Sequence, residues 1–322
     1  MKAIQIKECG GPEVMAVVDL PVPKPKANEA LVKIKAAGVN YADVYVREGM
    51  YRPTLPTVLG QEAAGTVTEV GAEVTTVKPG DRVAYRGAMG SYAEYAAVPA
   101  ALLVRIPEGI SEEQAAAAML QGMTAHYLLY STYPVKRGET VLIHAAAGGV
   151  GLLLVQMAHH IGARVIGTVS TEEKAKLARE AGADEVIIYT KTDFEAETKR
   201  IMNNKGVDVI YDSVGKATFE KGLNLLRPRG YMVNFGAASG PPAPLDLSVL
   251  TAKGSLFVTR PSLQHYAATR QETEERSAAI FGMIKSGKLK LRIERRYPLD
   301  QAIQAHRDIQ SRKTTGKLLL IP

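Results

Sequence analysis

Residues 139–151 read E-T-V-L-I-H-A-A-A-G-G-V-G, an apolar strand that empties into a glycine turn and then directly into an apolar helix. The turn has the form Ala145-x-x-Gly148-x-x-Gly151. Small residues at these places allow a tight reversal, close approach of the backbone to a pyrophosphate and close packing of helix on strand. A helix starting there also turns unpaired N–H groups and a partial positive charge toward the phosphates.

The sequence on either side sets this turn in a sheet. After Gly151, L-L-L-V-Q-M-A-H-H-I-G-A predicts an apolar helix that stops at Gly162, followed by a strand, A-R-V-I-G-T-V. A second helix is expected from about Thr171 to Ala181, capped by Ser170 or Thr171 and stopped by Gly182. Strand-like runs recur at 185–188, 207–211 and 230–235, with amphipathic stretches between them. That alternation predicts a doubly wound parallel sheet, an α/β Rossmann unit.

The end of the second strand selects the dinucleotide. NAD sites carry an Asp or Glu there, which hydrogen-bonds the ribose 2′-hydroxyl and repels a 2′-phosphate. This chain has Val169-Ser170-Thr171 instead, with Lys174 one helical turn on. Ser170 can donate to a phosphate and Lys174 can supply a compact positive charge, so NADPH is expected over NADH. Glu172 and Glu173 are read as first-turn partners of the helix dipole.

At 322 residues, with 46% apolar and 23% charged residues, the chain is long enough for two domains. It has no apolar run of about twenty residues and begins M-K-A-I-Q-I-K-E, so a cytoplasmic protein is expected, with no membrane span. The single cysteine, Cys9, excludes an internal disulfide. The net charge of +7 is dispersed and no aromatic-interleaved basic stripe occurs, so it is assigned to solubility and to attraction of an anionic cofactor.

Residues 1–107 have short β-branched runs broken by glycine and proline, the pattern of a partly open, mainly β barrel. From Ser111 to about Tyr130 the chain turns helical, with Ser111 capping and Gln114 at the capping-box position. Late in the chain, the residues from Lys285 to Arg296 alternate like an amphipathic strand. A helix at about 276–285 and the strand 317–321 have no parallel-sheet neighbour of their own in this reading and are assigned back to the first domain. The expected division is 1–121 with 265–322 for the catalytic domain, and 122–264 for the nucleotide domain inserted into it.

Several separate segments together carry a family resemblance. They are A-G-V-N-Y-A-D-V-Y at Ala37–Tyr45, L-G-Q-E-A-A-G at Leu59–Gly65, Q-G-M-T-A at Gln121–Ala125, Y-D-S-V-G at Tyr211–Gly215 and K-G-S-L-F-V-T-R-P at Lys253–Pro261. With the glycine turn, they resemble the zinc-free quinone oxidoreductase, or zeta-crystallin-like, branch of the medium-chain dehydrogenase/reductase superfamily over essentially the whole length. The resemblance implies a Rossmann unit inserted into a GroES-like, mainly β catalytic domain.

The metal question has an independent answer in the residues. A catalytic zinc takes three protein ligands and a structural zinc lobe four cysteines. One cysteine excludes the lobe, and zinc members place His where this chain has Gln61. His159 and His160 are adjacent and point apart on a helix, while His126, His144, His265 and His306 are isolated and are read as core or surface histidines. No metal is expected. Without a Lewis acid an alkoxide lacks stabilisation, so the acceptor must delocalise the incoming charge, as a quinone or a conjugated alkene does.

The resemblance implies the site residues. Asn40 would contact the nicotinamide ribose or carboxamide, Tyr45 and Tyr51 would offer hydroxyls and ring faces to a flat acceptor, and Asp43 would orient them, with Gln61 in the same group. Thr124 would meet the phosphate side of the nicotinamide, and the Ala147–Val150 stretch, with Gly148 and Gly149, the pyrophosphate. Ser213, Phe235 with Gly236, and Val258, Thr259 and Arg260 lie at strand ends where ligands of open sheets bind. Tyr189 would stack on adenine and Arg312 would reach the 2′-phosphate. The segment from Ser255 to Thr259 reads as an edge strand able to pair across a two-fold axis, so a homodimer is expected. The expected function is NADPH:quinone oxidoreduction. The alternatives are reduction of α,β-unsaturated ketones or aldehydes and a nucleotide- or RNA-binding role.

Overall fold

The computed structural model describes residues 1–322, which form two compact units. The first comprises 1–123, 267–287 and 291–322, and the second comprises 124–266 with 288–290.

In the second unit six parallel strands follow the spatial order Glu185–Ile188, Arg164–Val169, Thr140–Ile143, Val207–Asp212, Leu226–Asn234, Phe257–Thr259. The chain starts in the middle, winds outward to one edge and then to the other, so the order reverses beside Thr140–Ile143. Ligands of open sheets bind at the carboxyl end of such a reversal. Val141, Leu142, Ile143, Val209 and Ile210 are fully buried, as strands covered on both faces require. Helix Gly149–Ile161 is capped by Gly148 and ends at left-handed Gly162. Helix Glu172–Glu180 is capped by the Thr171 hydroxyl, which accepts from the Lys174 N–H. The strand expected at 230–235 begins earlier, at Leu226, because Leu226 already pairs with Val207; the irregularity that hides this is a positive φ at Arg229, where the register shifts before Val209 meets Tyr231.

The first unit is built around the eleven-residue strand Glu29–Val39. One side of it pairs with Glu62–Val70. On its other side the first half pairs with Tyr95–Pro99 and the end pairs with Lys317–Ile321. A smaller sheet joins Met15–Asp19, Lys2–Ile6 and Thr57–Val58. Ile4, Ile6, Val32, Leu59, Val83, Tyr85 and Leu320 belong to one core shared by the two sheets of this unit.

Four expectations need correction in this unit. The all-β reading of the first hundred residues missed helix Tyr41–Arg47, whose short run of mixed polarity shows no clear helical period. The late helix begins at Arg270, well before 276, because Thr269 and Glu272 form a reciprocal capping box ahead of a polar first turn. The terminal strand does have a parallel neighbour, Ile293–Pro298, and the alternation read from Lys285 onward becomes a strand only at Ile293. Helix Glu112–Tyr127, with the expected Ser111–Gln114 box, ends in a wide π turn over Leu128–Thr132. Lys290 lies with the second unit, its backbone N–H donating to Gln156 Oε1 at 2.7 Å and its carbonyl accepting from Gln156 Nε2 at 3.1 Å. No helix is long and apolar enough to cross a membrane.

Candidate active site

The nucleotide side is organised by the turn at 145–151. Ala145 takes a left-handed conformation (φ 52°), and its carbonyl accepts from the Gly148 N–H at 2.8 Å. A Cβ on Gly151 would press into the Ala145 carbonyl and lie 2.9 Å from Ala146 Cα, so only glycine fits there. Ala147 is buried beneath the turn, while Gly148, Gly149 and Val150 are half-exposed. First-turn amides of a helix precede its hydrogen-bond ladder, so the turn presents N–H donors at an accessible surface and fits a pyrophosphate.

No acid stands at the end of Arg164–Val169, where the chain reads Ser170-Thr171 before the first acids of the next helix, Glu172 and Glu173. Ser170 is half-buried, its carbonyl accepting from the Thr190 hydroxyl at 2.8 Å. Glu172, the nearest acid, is paired with Lys191 at 2.7 Å. Lys174 projects from the first turn of the following helix, and Tyr189 is 48% exposed just past Glu185–Ile188, open to a flat ring.

Sequence reasoning missed the residue that shapes the loop around Ser213. Asp212 is fully buried, and its Oδ1 accepts from the N–H groups of Val214 (2.7 Å) and Gly215 (3.0 Å) and from the Thr218 hydroxyl (2.9 Å). The signal was present as an Asp at a strand end followed by Ser and Gly, the usual composition of an Asx turn. Gly236 packs on Ser213, a Cβ there falling 2.7 Å from the Ser213 carbonyl oxygen, with half-buried Phe235 next to it. Arg260 donates to Asn234 Oδ1, while Asn234 Nδ2 reaches the Gly236 carbonyl at 3.1 Å. Val258 and Thr259 lie on the sheet edge. His144 is a core residue, Nδ1 within 2.9 Å of the Thr168 hydroxyl and its ring edge-on to Phe194.

The first unit brings Asn40, Asp43, Tyr45, Tyr51 and Gln61 into one neighbourhood. Asn40 follows the long strand in extended conformation and caps helix Tyr41–Arg47. Asp43 is fully buried at the third helical position, where Oδ2 accepts the Asn40 backbone N–H at 2.9 Å and the Tyr92 hydroxyl at 2.9 Å. Gln61 Nε2 makes a long 3.5 Å contact to Asp43 Oδ1. Burial drives the Asp43 carboxyl up to about 7, against the opposing pull of those hydrogen bonds and of the Lys317 charge. Tyr45 is largely buried and meets Tyr51 edge-on at 5.4 Å and Tyr41 at 5.9 Å. Tyr51 is 47% exposed and available to a ligand. Asp43 therefore holds Asn40 and the start of the helix. Arg312 lies beside the Tyr41 hydroxyl, which burial raises and Arg312 lowers.

The Asn40 amide is fixed by two residues the sequence reading did not single out. Its Nδ2 donates to Glu62 Oε2 at 2.9 Å and its Oδ1 accepts from Lys317 Nζ at 2.8 Å. Glu62 and Lys317, both buried, form an ion pair, and Glu62 Oε1 also accepts the Leu120 N–H. Gly38 makes the room, since a Cβ there would lie 2.7 Å from Lys317 Cε. The Glu62 carboxylate is thus saturated by an ammonium, an amide and a backbone donor. No group of three or more His, Cys, Asp or Glu side chains is placed to share a metal ion.

Residues 26–108 match the family model of the alcohol dehydrogenase GroES-like domain and residues 149–280 that of the zinc-binding dehydrogenase. The chain is 46% identical to a quinone oxidoreductase of Pseudomonas aeruginosa, covering 100% of this chain and 99% of that one. It is 42% identical to a 2-haloacrylate reductase of Burkholderia sp, covering 99% and 98%. The crystal structure of Escherichia coli quinone oxidoreductase complexed with NADPH superposes with a TM-score of 0.98 at 46% identity over 100% of both chains. The chain belongs to the zinc-free quinone oxidoreductase branch of the medium-chain dehydrogenase/reductase superfamily.

Proposed function

We propose that this protein is an NADPH:quinone oxidoreductase that works without a metal. The observation that carries the cofactor is the end of Arg164–Val169, where Ser170 and Lys174 stand in place of a ribose-binding acid and Glu172 is tied to Lys191. The names of the relatives and the NADPH complex of the E. coli structure support the same reading. Bound NADPH supplies the two electrons and the hydrogen of the reduction as a hydride equivalent.

The residues of the chain bind and orient. The amides of Gly148, Gly149 and Val150, above Ala147, hold the pyrophosphate. Ser170 and Lys174 hold the 2′-phosphate, and Tyr189 covers the adenine. Thr124, Ser213, Phe235, Gly236, Val258, Thr259 and Arg260 line the rest of the nucleotide. Asn40, its amide locked by Glu62 and Lys317, meets the nicotinamide end, and the ring faces of Tyr45 and Tyr51 take a flat acceptor. No carboxylate–histidine cluster is available to polarise an isolated ketone, which favours acceptors that delocalise charge themselves.

The 2-haloacrylate reductase relative favours one second reading, reduction of an alkene conjugated to a carbonyl or carboxylate. Side-by-side turnover of a simple quinone and a conjugated enone with NADPH separates the two, and turnover of the enone alone would move the protein to the second class. Two copies pair through the edge strand Phe257–Thr259, where Phe257 is 48% and Val258 36% exposed. We place the protein in the cytoplasm, whose reducing conditions suit its exposed single Cys9.

A further inference from the structure

Behind Asp43 runs a line of buried polar side chains that the proposed reaction has not used. Arg47, Tyr92 and His306 are all fully buried. His306 Nδ1 lies 3.1 Å from Arg47 Nη1, and His306 Nε2 lies 3.3 Å from the Tyr92 hydroxyl. A guanidinium can only donate, so Nδ1 accepts and the ring hydrogen sits on Nε2. Nε2–H then donates to the Tyr92 oxygen, and the Tyr92 O–H donates to Asp43 Oδ2. The far end is anchored by Arg47 Nη2, which donates to Glu48 at 2.8 Å and to Gln310 at 3.0 Å. The chain is therefore polarised in one direction, donor to acceptor, from Arg47 to Asp43.

This order decides where Asp43 can carry a proton. Oδ2 already accepts two donors, the Tyr92 O–H and the Asn40 N–H, neither of which can reverse. Reversing Tyr92 would need a hydrogen on His306 Nδ1, facing the guanidinium. Only Oδ1 remains, and Oδ1 faces the half-buried Gln61 amide. An ionised Asp43 takes the NH2 of Gln61, leaving the Gln61 carbonyl on the far side. A protonated Asp43 donates from Oδ1, which holds the Gln61 carbonyl and leaves its NH2 on the far side.

We propose that Asp43 is a proton-operated positioning residue, whose protonation on Oδ1 turns the Gln61 amide from an acceptor into a donor toward the acceptor substrate, with the Arg47–His306–Tyr92 chain confining the proton to that oxygen. The proposal rests on the quinone reductase reading for its link to turnover. A quinone oxygen gains negative charge on reduction and is stabilised by a donor, not by a carbonyl. Asp43 takes its proton from water and returns it there, and the reduced acceptor draws its own proton from water, so nothing at Asp43 is consumed. The groups that act on the Asp43 carboxyl are Tyr92 and the Asn40 N–H by hydrogen bond, Lys317 and Glu62 by charge, and burial, the largest, which brings its titration to about 7. His306 stays neutral, held down by burial and by the Arg47 charge.

The test is a pair of pH series. In wild type, kcat/KM for a simple quinone with saturating NADPH falls about tenfold over the two pH units centred on the Asp43 midpoint. Asp43→Asn places a fixed N–H against Gln61 and removes this limb, whatever the absolute rate. Gln61→Met also removes the limb, on a half-buried side chain whose loss leaves the buried network in place. In the wild-type protein with NADP⁺ bound, the Gln61 side-chain amide NMR signals shift with the same midpoint as the Asp43 carboxyl carbon. A limb that persists unchanged in either variant, a wild-type profile without one, or Gln61 signals that ignore the Asp43 titration would overturn the proposal. Absence of quinone turnover at every pH would instead overturn the reductase reading, and the NMR series would still decide the role of Asp43.

Discussion

The ammonium of Lys317, in the last strand, is buried against the carboxylate of Glu62, 255 positions earlier, and the two hold opposite ends of the Asn40 amide. The charges also settle the flip of that amide, oxygen toward the cation and nitrogen toward the anion. Removing one member of a buried pair leaves an uncompensated charge and typically costs about 3–5 kcal/mol. Lys317→Met should therefore lose that much in urea denaturation, and adding Glu62→Gln should recover more than half of it. A single variant within about 1 kcal/mol of wild type would show that the pair does not hold this region.

Two buried groups of the same network shift stability in opposite directions with pH. His306 falls from 6.5 to about 3, so the stability from burying it neutral is complete above 6.5 and is lost as pH falls toward 3. Asp43 rises from 3.8 to about 7, so its contribution is complete below 3.8 and is lost as pH rises toward 7. Between about pH 4 and 6.5 the two slopes, each about 1.4 kcal/mol per pH unit, cancel. Asp43→Asn removes one of them. Its stability should climb with pH more steeply than wild type by about that slope, measured by denaturant titration across the window. Parallel curves would refute the shared network.

The glycine turn predicts an asymmetry between two alanine substitutions. Gly151→Ala drives a Cβ into backbone that cannot yield, at 2.9 Å from Ala146 Cα, whereas at Gly148 the nearest atom is the Ala145 carbonyl oxygen at 3.1 Å. We expect about 1–3 kcal/mol of destabilisation for Gly151→Ala, together with weakened NADPH binding by fluorescence titration. Gly148→Ala should be milder on both counts. Equal effects would mean that steric closeness at 151 does not shape the turn.

Cofactor choice should depend strongly on the charge of Lys174. Lys174→Ala is expected to raise the KM for NADPH about tenfold and leave that for NADH unchanged, because a charge-assisted hydrogen bond contributes about 1.5–3 kcal/mol. A similar rise for both cofactors would place Lys174 outside the 2′-phosphate site.

The edge strand gives a further test. Val258→Asp puts a charge on the exposed edge and should convert a dimeric mass by light scattering to a monomeric one. A wild-type monomer, or a dimer indifferent to the charge, would remove this strand from the interface.

The second unit was legible because its signals are local and periodic. The glycine turn, the capping Thr171 and the β-branched runs each lie within a dozen residues and agree with one another. Where such signals fade, the reading slipped. Helix Arg270–Lys285 starts in R-Q-E-T-E-E-R, polar on every face, and its one local mark is the Thr269-x-x-Glu272 box. Helix Tyr41–Arg47 is only seven residues long, too short to show a period.

Site residues divide in the same way. Asn40, Asp43 and Gln61 sit in short segments that carry the family resemblance, and Asp212 could have been found from its turn. Glu62, Lys317, Tyr92 and His306 could not be joined by spacing, since their contacts are made by strand pairing and helix packing between remote parts of the chain. Lys317 in K-L-L-L-I carries no local sign of burial, and only the pairing of its strand with Glu29–Val39 brings it to Asn40 and Glu62. In sequence His306 is an isolated histidine, and its place in a polarised chain depends on which atom faces Arg47.

Initial rates of cofactor oxidation with one simple quinone, using NADPH and NADH in parallel, before and after exhaustive treatment with a metal chelator, decide cofactor and metal dependence together. An NADPH:quinone oxidoreductase that works without a metal turns over with NADPH, much more weakly with NADH, and is unchanged by chelation. Preference for NADH, or loss of activity on chelation that an added divalent metal restores, would contradict that reading.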